Sequence, residues 1–195
     1  MIRFFDFLFS LLGLILLLPF FLIISIAVVI GSRGGIFYIQ ERVGKNNRNF
    51  RLVKFRTMRS GADKQGGLTI GAHDSRITNT GFFLRKYKLD ELPQLINVLK
   101  GEMSLVGPRP ELRKYVNLYS DEQKKVLALS PGITDIASLE YINENEILGA
   151  SADPEQTYIE QIMPAKLELN KKFIKDPRLG NYFQIIGLTI KKIFQ

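Results

Sequence analysis

The sequence predicts an α+β fold that is mostly helical, with an N-terminal membrane helix ahead of a small cytoplasmic domain that carries a short β-hairpin. Three observations support this class. Residues 7–32 contain no charged side chain, residues 36–57 have the composition of two strands around a turn, and the rest of the chain carries several helix-start signals. We therefore divide the chain into a membrane-inserted segment at 1–32 and a cytoplasmic domain with interfacial helices at 33–195.

The charge-free segment is long enough to reach across a bilayer. As a straight helix, residues 7–32 would measure about 39 Å, against about 30 Å for a hydrocarbon core. Pro19 lies near the middle and removes a backbone hydrogen bond, so we expect a bend at Pro19. The residues leave two arrangements open, a kinked span and a broken helix that enters and leaves on the same face. Between residues 33 and 59, eight basic side chains stand against the single acid Glu41, which places the following domain in the cytoplasm.

The overall composition narrows the chemistry. The formal net charge of +8 over 195 residues suits anionic lipid, a phosphorylated substrate or nucleic acid as a partner. The basic residues form no recognisable nucleic-acid recognition motif, so we expect no nucleic-acid partner. The chain has no cysteine and one histidine, His73, so neither thiolate chemistry nor a histidine-based triad is expected.

The first element of the domain is a predicted hairpin. Ile36–Gln40 has strand composition, Gly44–Asn49 is rich in turn residues, and Phe50–Thr57 mixes apolar with basic side chains. Two interpretations stay open for the basic side chains. They form either a solvated ribbon or a basic floor that meets lipid headgroups or a nucleotide diphosphate.

A short helix is predicted in the middle of the chain, within the stretch 88–110. Four apolar residues share one face of it, at positions 92, 95, 96 and 99. Pro93 suits the first turn, where its missing N–H costs nothing, and Gly101 is a natural C-terminal stop. The helix therefore begins next to two acidic residues, Asp90 and Glu91.

Those two acids lie where unpaired amides and the helix dipole favour negative charge. The residues leave two roles open for Asp90 and Glu91, as helix caps or as a reactive carboxylate pair. Gly107–Pro110 forms a rigid turn that can hold the Arg109 guanidinium near the same helix, and arginine suits phosphate recognition. This neighbourhood favours the reactive pair.

The C-terminal part is predicted to be helical. Ser120 and Gln123 form a capping-box pattern, and Asp153–Gln156 is a second helix-start signal. Residues 181–195 place their apolar side chains along one side. That last helix is either a packing helix or an interfacial helix whose apolar face lies in the bilayer surface.

Several short motifs along the chain share a family pattern: Leu89–Leu95, Asn97–Gly101, Met103-Ser104, Gly107–Pro110, Gln40–Gly44, Lys54–Met58, Arg76–Thr78, Phe83–Lys86 and Pro131–Thr134. On these motifs the chain resembles the bacterial sugar transferases, and more narrowly the monotopic phosphoglycosyl transferases that start glycan assembly on polyprenol phosphate. It departs from the family pattern at two places. Gly35 stands where proline is usual, and Ser138–Tyr141 stands in place of an Asn-Gly-Arg segment of many members, a departure in the sugar-reading part of the site.

The resemblance implies an enzyme that moves a phospho-sugar from a UDP-sugar to polyprenol phosphate and releases UMP, the first membrane step of glycan assembly. It also implies a re-entrant membrane helix, a place at the cytoplasmic face of the bacterial inner membrane, and a covalent intermediate on Asp90. A carboxylate can attack phosphorus in this way. A homodimer stays open.

The expected site residues follow from the resemblance and from the chemistry together. The resemblance makes Asp90 the nucleophile, and Glu91 the second catalytic residue, which helps to hold a metal or handles a proton. Both carboxylates are the expected ligands of Mg²⁺, which neutralises a diphosphate in other phosphoryl transfers. The expected substrate-binding residues are Arg109 with its neighbours Pro108 and Pro110, and then Arg76, Arg85 and Lys88.

Two other functions stay open. A membrane-anchored basic binding or scaffold protein explains the charge and the apolar segment but gives Asp90 and Glu91 no role. A lipid-phosphate hydrolase is the nearest enzymatic alternative. An assay of UMP release with and without polyprenol phosphate separates the transferase from both.

Overall fold

The computed structural model describes residues 1–62, 74–175 and 178–193; His73 and the connection around it lie outside them. Within these residues the chain forms eleven α-helices and two separate two-stranded sheets, which confirms the mostly helical α+β class. The strands are β1 (Phe37–Val43), β2 (Asn49–Phe55), β3 (Ser104–Val106) and β4 (Gly132–Thr134). The helices are α1 (Ile2–Leu16), α2 (Leu18–Gly31), α3 (Asn79–Lys86), α4 (Gln94–Lys100), α5 (Arg113–Val116), α6 (Asp121–Lys124), α7 (Ile136–Glu140), α8 (Glu144–Gly149), α9 (Pro154–Thr157), α10 (Met163–Lys175) and α11 (Leu179–Ile193).

The first two helices form a bent apolar pair. α1 and α2 meet at Leu17 with a bend of 63°, so the predicted bend is present but lies two residues ahead of Pro19. The proline sits in the first turn of α2, and its ring clashes with a helical carbonyl at Ile15, which breaks the helix on the N-terminal side. Among the described residues no single helix is long and apolar enough to cross a membrane, whereas this pair meets both criteria together.

The start of α1 is attached to the rest of the protein by polar contacts. The Arg3 guanidinium donates to the Leu99 carbonyl oxygen at the end of α4, at 2.9 Å. Asp6 is 2% exposed and accepts hydrogen bonds from the hydroxyls of Ser104 and Tyr182, both at 2.9 Å. These contacts hold the first turns of α1 against α4, β3 and α11.

The end of α2 is held by Arg56, which follows β2. Its guanidinium donates to the carbonyl oxygens of Ser32 and Arg33, at 2.6 and 3.1 Å, and so satisfies the C-terminus of α2. Beside it, Ile24 and Phe55 belong to a buried apolar cluster. Both ends of the bent pair therefore contact the domain that the rest of the chain forms, while the large apolar side chains near the bend are exposed.

The predicted hairpin is confirmed. β1 and β2 pair antiparallel, with Phe37 opposite Phe55 and Val43 opposite Asn49. The turn between them includes Asn46 with a φ of 54°, a left-handed conformation that asparagine tolerates better than most residues. This register fixes which side chains of β2 face the rest of the domain.

The parallel pair of β3 and β4 is not predicted by the sequence, because three residues are too few to show a strand period. A Cβ atom on Gly107 would lie 2.4 Å from the Ser130 carbonyl oxygen, and one on Gly132 would lie 2.1 Å from the Gly107 nitrogen. Only glycine allows the two chains to approach this closely. The pairing brings the turn Gly107–Pro110 beside the start of α7.

Two cores stabilise the C-terminal half. The larger one surrounds Tyr115 and Tyr158, between the hairpin, α5 and α10. α11 packs one face into a second core through Tyr182 and Ile185 and leaves Leu188 exposed. The packing role predicted for the last helix is confirmed for that face, and the interfacial role of the other face stays a prediction.

Candidate active site

The sequence predicted the acidic pair in the first turn of a helix, but the structure places it in a separate 3₁₀ turn, Leu89–Glu91, ahead of α4. The cause is Pro93, which has no N–H to donate to the Leu89 carbonyl and so cannot extend α4 backwards. Lys88, with a φ of 56°, starts the turn. Gly101, with a φ of 88°, ends α4 as expected.

The acidic turn faces a cavity of about 530 Å³, a size typical of small-ligand sites. The hairpin, the acidic turn, α7, α8 and α10 contribute to its lining. Nine basic and four acidic side chains of the described residues line it, and this excess of positive charge suits a polyanionic ligand. The basic residues are Arg42, Lys54, Arg56, Arg59, Arg76, Arg85, Lys88, Arg109 and Lys166, and the acidic ones are Asp90, Glu91, Glu111 and Glu144.

Glu91 is neutralised by two neighbouring cations. Its Oε1 atom accepts hydrogen bonds from the Lys54 amine and from the Arg109 guanidinium, both at 2.8 Å. Burial acts to raise the pKa of Glu91, but the charges of Arg109 and Lys54 outweigh burial and hold that pKa well below its usual range. Glu91 is therefore a fixed anion that orients two cations at the cavity.

Asp90 is adjacent to Glu91 but, unlike Glu91, is not held by hydrogen bonds to any described cation. The residue is 6% exposed, lines the cavity, and makes no side-chain hydrogen bond with any described residue. Burial raises the pKa of Asp90, and the nearby charge of Lys54 offsets only part of that effect. The sequence predicted that a helix N-terminus would lower the pKa of Asp90. Burial raises this pKa instead, so the predicted direction is wrong. The carboxylate oxygens keep their lone pairs available to a ligand.

The turn Gly107–Pro110 holds Arg109 at the cavity. The backbone N–H of Arg109 donates to Asp135 at 2.8 Å, and Asp135 is 2% exposed, so this anchor is buried. The guanidinium reaches Glu91, whose charge raises the pKa of Arg109 above its ordinary value. The turn thus brings a permanent cation beside the acidic pair, where the sequence placed it.

Pro108 and Pro110, which the sequence predicted as substrate contacts, do not line this cavity. They border a separate cavity of about 30 Å³. The Pro108 carbonyl oxygen accepts a hydrogen bond from the Gly132 N–H at 3.0 Å, and that of Pro110 accepts one from Arg42 at 3.2 Å. The two prolines therefore position Arg109, and their backbone carbonyls are engaged within the protein.

The remaining sequence candidates line the same cavity as the acidic pair. Arg85 donates to the Thr57 hydroxyl at 3.1 Å, and burial lowers the pKa of Arg85. Arg76 is paired with Asp74 at 2.6 Å, and hydrogen bonding to that carboxylate raises the pKa of Arg76. Lys88 is exposed at the edge of the cavity. All four predicted basic residues thus lie around one cavity with Asp90 and Glu91.

Lys54 is a site residue that the sequence reasoning did not single out. It lies on β2 and makes the 2.8 Å contact to Glu91. The sequence did contain two hints of this role. Lys54–Met58 matches a motif of the family that the chain resembles, and in a β-strand every second side chain points to the same face. The pairing with Glu91 joins residues far apart in the chain, so it could not be read from either segment alone.

Asn97 also begins a matching motif, Asn97–Gly101, but the motif does not reveal what its side chain does. Its buried side-chain amide donates to the Arg51 carbonyl at 2.7 Å and its oxygen accepts from the Val53 N–H at 3.1 Å. Asn97 therefore fixes β2 against α4 and so fixes the distance between Lys54 and the acidic turn. A polar residue on a helix face shows this role only when the strand beside it is known.

The oxygen atoms of the acidic pair decide whether Mg²⁺ can bind at the cavity. Among the described residues, no group of three or more aspartate, glutamate, histidine or cysteine side chains forms a metal site. Mg²⁺ commonly binds one or two carboxylates and completes its shell with water and substrate phosphates. Asp90 has no described hydrogen bond, and Oε2 of Glu91 has only a long contact of 3.5 Å to Arg109. The two carboxylates fit a Mg²⁺ ion that binds together with a phosphorylated ligand.

The fold and the site define a class of protein: a small α+β protein with an apolar helix pair and a basic cavity that carries two carboxylates in different states. Such a cavity suits a phosphorylated substrate. The chain belongs to the bacterial sugar transferase family, whose model matches residues 1–195. The resemblance inferred from the sequence motifs is thereby confirmed.

Three relatives illustrate the likeness. The UDP-N-acetylgalactosamine-undecaprenyl-phosphate N-acetylgalactosaminephosphotransferase of Aeromonas hydrophila is 35% identical over 191 residues, covering 96% of this chain and 42% of the relative. The exopolysaccharide production protein ExoY of Sinorhizobium fredii is 38% identical over 149 residues, covering 69% of this chain and 66% of the relative. The undecaprenyl-phosphate glucose phosphotransferase of Komagataeibacter xylinus is 39% identical over 144 residues, covering 70% and 27%. The chain thus matches only part of the length of each of these three relatives.

Proposed function

We propose that the protein transfers a sugar-1-phosphate from a UDP-sugar to polyprenol phosphate and releases UMP, through a covalent intermediate on Asp90. One observation carries the proposal: the two adjacent carboxylates in the basic cavity differ in their bonding. Glu91 is hydrogen-bonded to two cations, whereas Asp90 makes no hydrogen bond with a described residue. The substrates agree with the relatives, two of which are named for undecaprenyl phosphate and a sugar phosphate transfer. The reaction is the first membrane step of glycan assembly.

The proposed reaction has two steps, each a displacement at the phosphorus that carries the sugar. A carboxylate oxygen of Asp90 attacks the phosphorus that carries the sugar, a new P–O bond forms, and the bond to the bridging oxygen breaks. Its electron pair leaves with UMP. A phosphate oxygen of polyprenol phosphate then attacks the same phosphorus, which frees the Asp90 carboxylate and gives the polyprenyl diphosphate sugar. Each step exchanges one P–O bond for another.

The cations around Asp90 have separate tasks in this scheme. Lys54 and Arg109, both held by Glu91, stabilise the negative charge that develops on the leaving phosphate. Arg85 and Lys88 lie close enough to Asp90 for their charges to lower its pKa, and they bind the phosphate that carries the sugar. Glu91 keeps the first two cations in place, so they need no reorganisation during the reaction.

The proposal includes Mg²⁺, held by Asp90 and Glu91 together with the diphosphate of the donor. When bound, the ion neutralises charge on that diphosphate. Exhaustive treatment with EDTA is expected to lower the rate of UMP release by on the order of 10²-fold, and added Mg²⁺ is expected to restore it. A rate that survives EDTA unchanged would remove the metal from the proposal.

The proposal also places residues 1–32 in the membrane as a re-entrant helix, with the domain 33–195 on the cytoplasmic face of the bacterial inner membrane. Its support is that both ends of the bent pair contact the same domain, through Arg3 and Asp6 at one end and Arg56 at the other. A straight span would carry the two ends to opposite faces. The exposed apolar side chains near the bend would then lie in the hydrocarbon core.

Cysteine labelling tests this arrangement, because the chain contains no native cysteine. A cysteine inserted after Met1 is expected to react with a membrane-impermeant reagent only when the cytoplasmic face is opened. Asn143→Cys, an exposed position on the domain, is the matched control. Labelling of the N-terminal cysteine from outside, with the control still protected, would show a full span instead.

A donor radiolabelled in the sugar tests the reaction itself. Without polyprenol phosphate, the full-length protein is expected to release UMP once and to keep the label on the peptide that contains Asp90. Adding polyprenol phosphate should then move the label to lipid with ping-pong kinetics. Free labelled sugar phosphate instead of lipid product would indicate the hydrolase. Binding without UMP release would indicate the scaffold protein.

A further inference from the structure

Part of the cavity lining differs in chemistry from the acidic turn and its cations. We call it the α7–α8 wall and define it by Ser138, Tyr141, Glu144, Asn145 and Lys166, which all line the cavity. Lys166 is its one described cation, and its amine lies 2.6 Å from the Glu144 carboxylate. The wall therefore has no net charge and presents hydroxyl, phenol and amide groups, whereas the lining around Asp90 is strongly basic.

Ser138 gives the clearest indication that the wall binds something. Its hydroxyl oxygen is buried and has no hydrogen-bond partner among the described residues. A buried polar group without a hydrogen-bond partner destabilises a protein, so nearly all buried polar groups in folded proteins have a partner. The Tyr141 hydroxyl and the Asn145 amide also make no hydrogen bond with a described residue. All three groups are therefore available to a ligand in the cavity.

The charge of the wall indicates which part of a ligand it takes. A phosphate would find Lys166 already paired one to one with Glu144, whose carboxylate would repel it. At the acidic turn, by contrast, Glu91 shares its single charge between two cations. Neutral hydroxyl and amide groups with one carboxylate acceptor instead match the hydroxyl and acetamido groups of a sugar, which donate and accept hydrogen bonds. The cavity thus divides into a side for phosphate and a side for a neutral polar group.

One buried residue connects the two sides. Asp135 accepts a hydrogen bond from the Arg109 N–H with one carboxylate oxygen and from the Ser138 N–H with the other. This bridge fixes the separation between the phosphate-binding turn and the wall. A diphosphate held at Arg109 would consequently present the group attached to it at a constant distance from Ser138.

We propose that the α7–α8 wall binds the hexose of the donor and selects it, with Ser138, Tyr141 and Asn145 hydrogen-bonding its hydroxyl or acetamido groups. The proposal rests on the proposed function, since it takes the donor to be a nucleotide sugar.

A donor panel tests the proposal with full-length protein. UMP release is measured for UDP-glucose, UDP-galactose and their N-acetylamino counterparts. Ser138→Ala, Tyr141→Phe and Asn145→Ala are each expected to change the kcat/KM ratio between the best and poorest donor by about 10-fold. Asn143→Ala is the matched control, because Asn143 is exposed at the start of the same helix but does not line the cavity. It should leave every ratio unchanged.

Unchanged ratios in all three wall variants would overturn the proposal, and so would equal losses for every donor together with an equal loss of affinity for UDP. A second measurement is independent of turnover: isothermal titration of the Asp90→Asn protein with each UDP-sugar and with UDP. The Asp90→Asn protein should bind the preferred UDP-sugar more tightly than UDP. This difference should disappear when Ser138→Ala is added to the same protein. If the wild type releases no UMP while this binding difference is present, the proposed function fails and the sugar site stands.

Stability separates binding from a structural role. Ser138→Ala removes an unpartnered buried hydroxyl, so the Tm without ligand is expected to stay the same or rise. A lowered Tm with unchanged donor ratios would assign Ser138 to the fold and contradict its role in selection.

Discussion

Replacing Asp90 with asparagine is expected to lower sugar-phosphate transfer by on the order of 10⁴-fold or more, because the variant lacks the attacking anion but keeps the shape of the side chain. The variant should show no labelled protein from a sugar-labelled donor in the absence of acceptor. Glu140→Gln, which neutralises an exposed acid outside the cavity, is the matched control and should transfer sugar at the wild-type rate.

The expected effect of Asp90→Asn on stability shows whether a loss of activity could come from misfolding. Burial raises the pKa of Asp90 in the folded protein. A group whose pKa is raised by folding contributes to folding stability. That contribution is fully present below the pKa of the unfolded chain and is lost as pH rises through the pKa of the folded protein. As pH rises through that folded value, ionisation of Asp90 disfavours folding, so Asp90→Asn should have an equal or higher Tm by circular dichroism in EDTA at neutral pH.

Two results would contradict different parts of the proposal. Full transfer by Asp90→Asn would exclude Asp90 from the chemistry altogether. An inactive Asp90→Asn protein, combined with sequential kinetics and no trapped label on the wild type, would exclude only the covalent step. Asp90 would then act as a metal ligand or a base in a direct transfer.

The residues that sequence reasoning found are those that a short local motif defines. Asp90, Glu91 and Arg109 lie within 20 positions of one another, and a turn between two prolines limits where Arg109 can point. The hairpin and the bend near Pro19 likewise come from local composition. Such features are readable because the chain itself fixes the relative positions of their residues.

The residues that it missed act between distant segments. Lys54 gains its role from the contact with Glu91, Asn97 from the strand beside it, and Asp135 from joining Arg109 to Ser138. None of these pairings follows a period, and none lies within a single motif. The direction of the pKa shift of Asp90 was mispredicted for the same reason, since its burial depends on how the whole cavity is assembled.

Glu91→Gln is expected to weaken both the fold and the reaction. The substitution leaves Lys54 and Arg109 close together without their shared anion. Removing one partner of a largely buried ion pair costs about 3 kcal/mol. For a chain of this size that cost corresponds to a fall in Tm of about 6 to 12 °C. UMP release should fall by on the order of 10²-fold, since both cations lose their fixed orientation.

The pH dependence of this loss follows from the pKa of Glu91, which the two cations hold well below its usual range. A group with a lowered pKa contributes stability that is fully present above its unfolded pKa, about 4.3, and is lost as pH falls through the folded value. In EDTA, the Tm difference between the wild type and Glu91→Gln should therefore be constant at pH 6–7 and shrink below about pH 4. A difference that does not change with pH would show that the charge of Glu91 is not what stabilises the fold.

A double variant separates charge compensation from catalysis. Lys54→Met removes the buried amine that Glu91→Gln leaves without a partner, so Lys54→Met/Glu91→Gln should be more stable than Glu91→Gln alone. It should nevertheless release UMP no faster, because it also lacks a cation for the leaving phosphate. If the double variant recovered both stability and UMP release, Glu91 and Lys54 would serve the fold only. Arg109 would then be the cation on which the reaction depends.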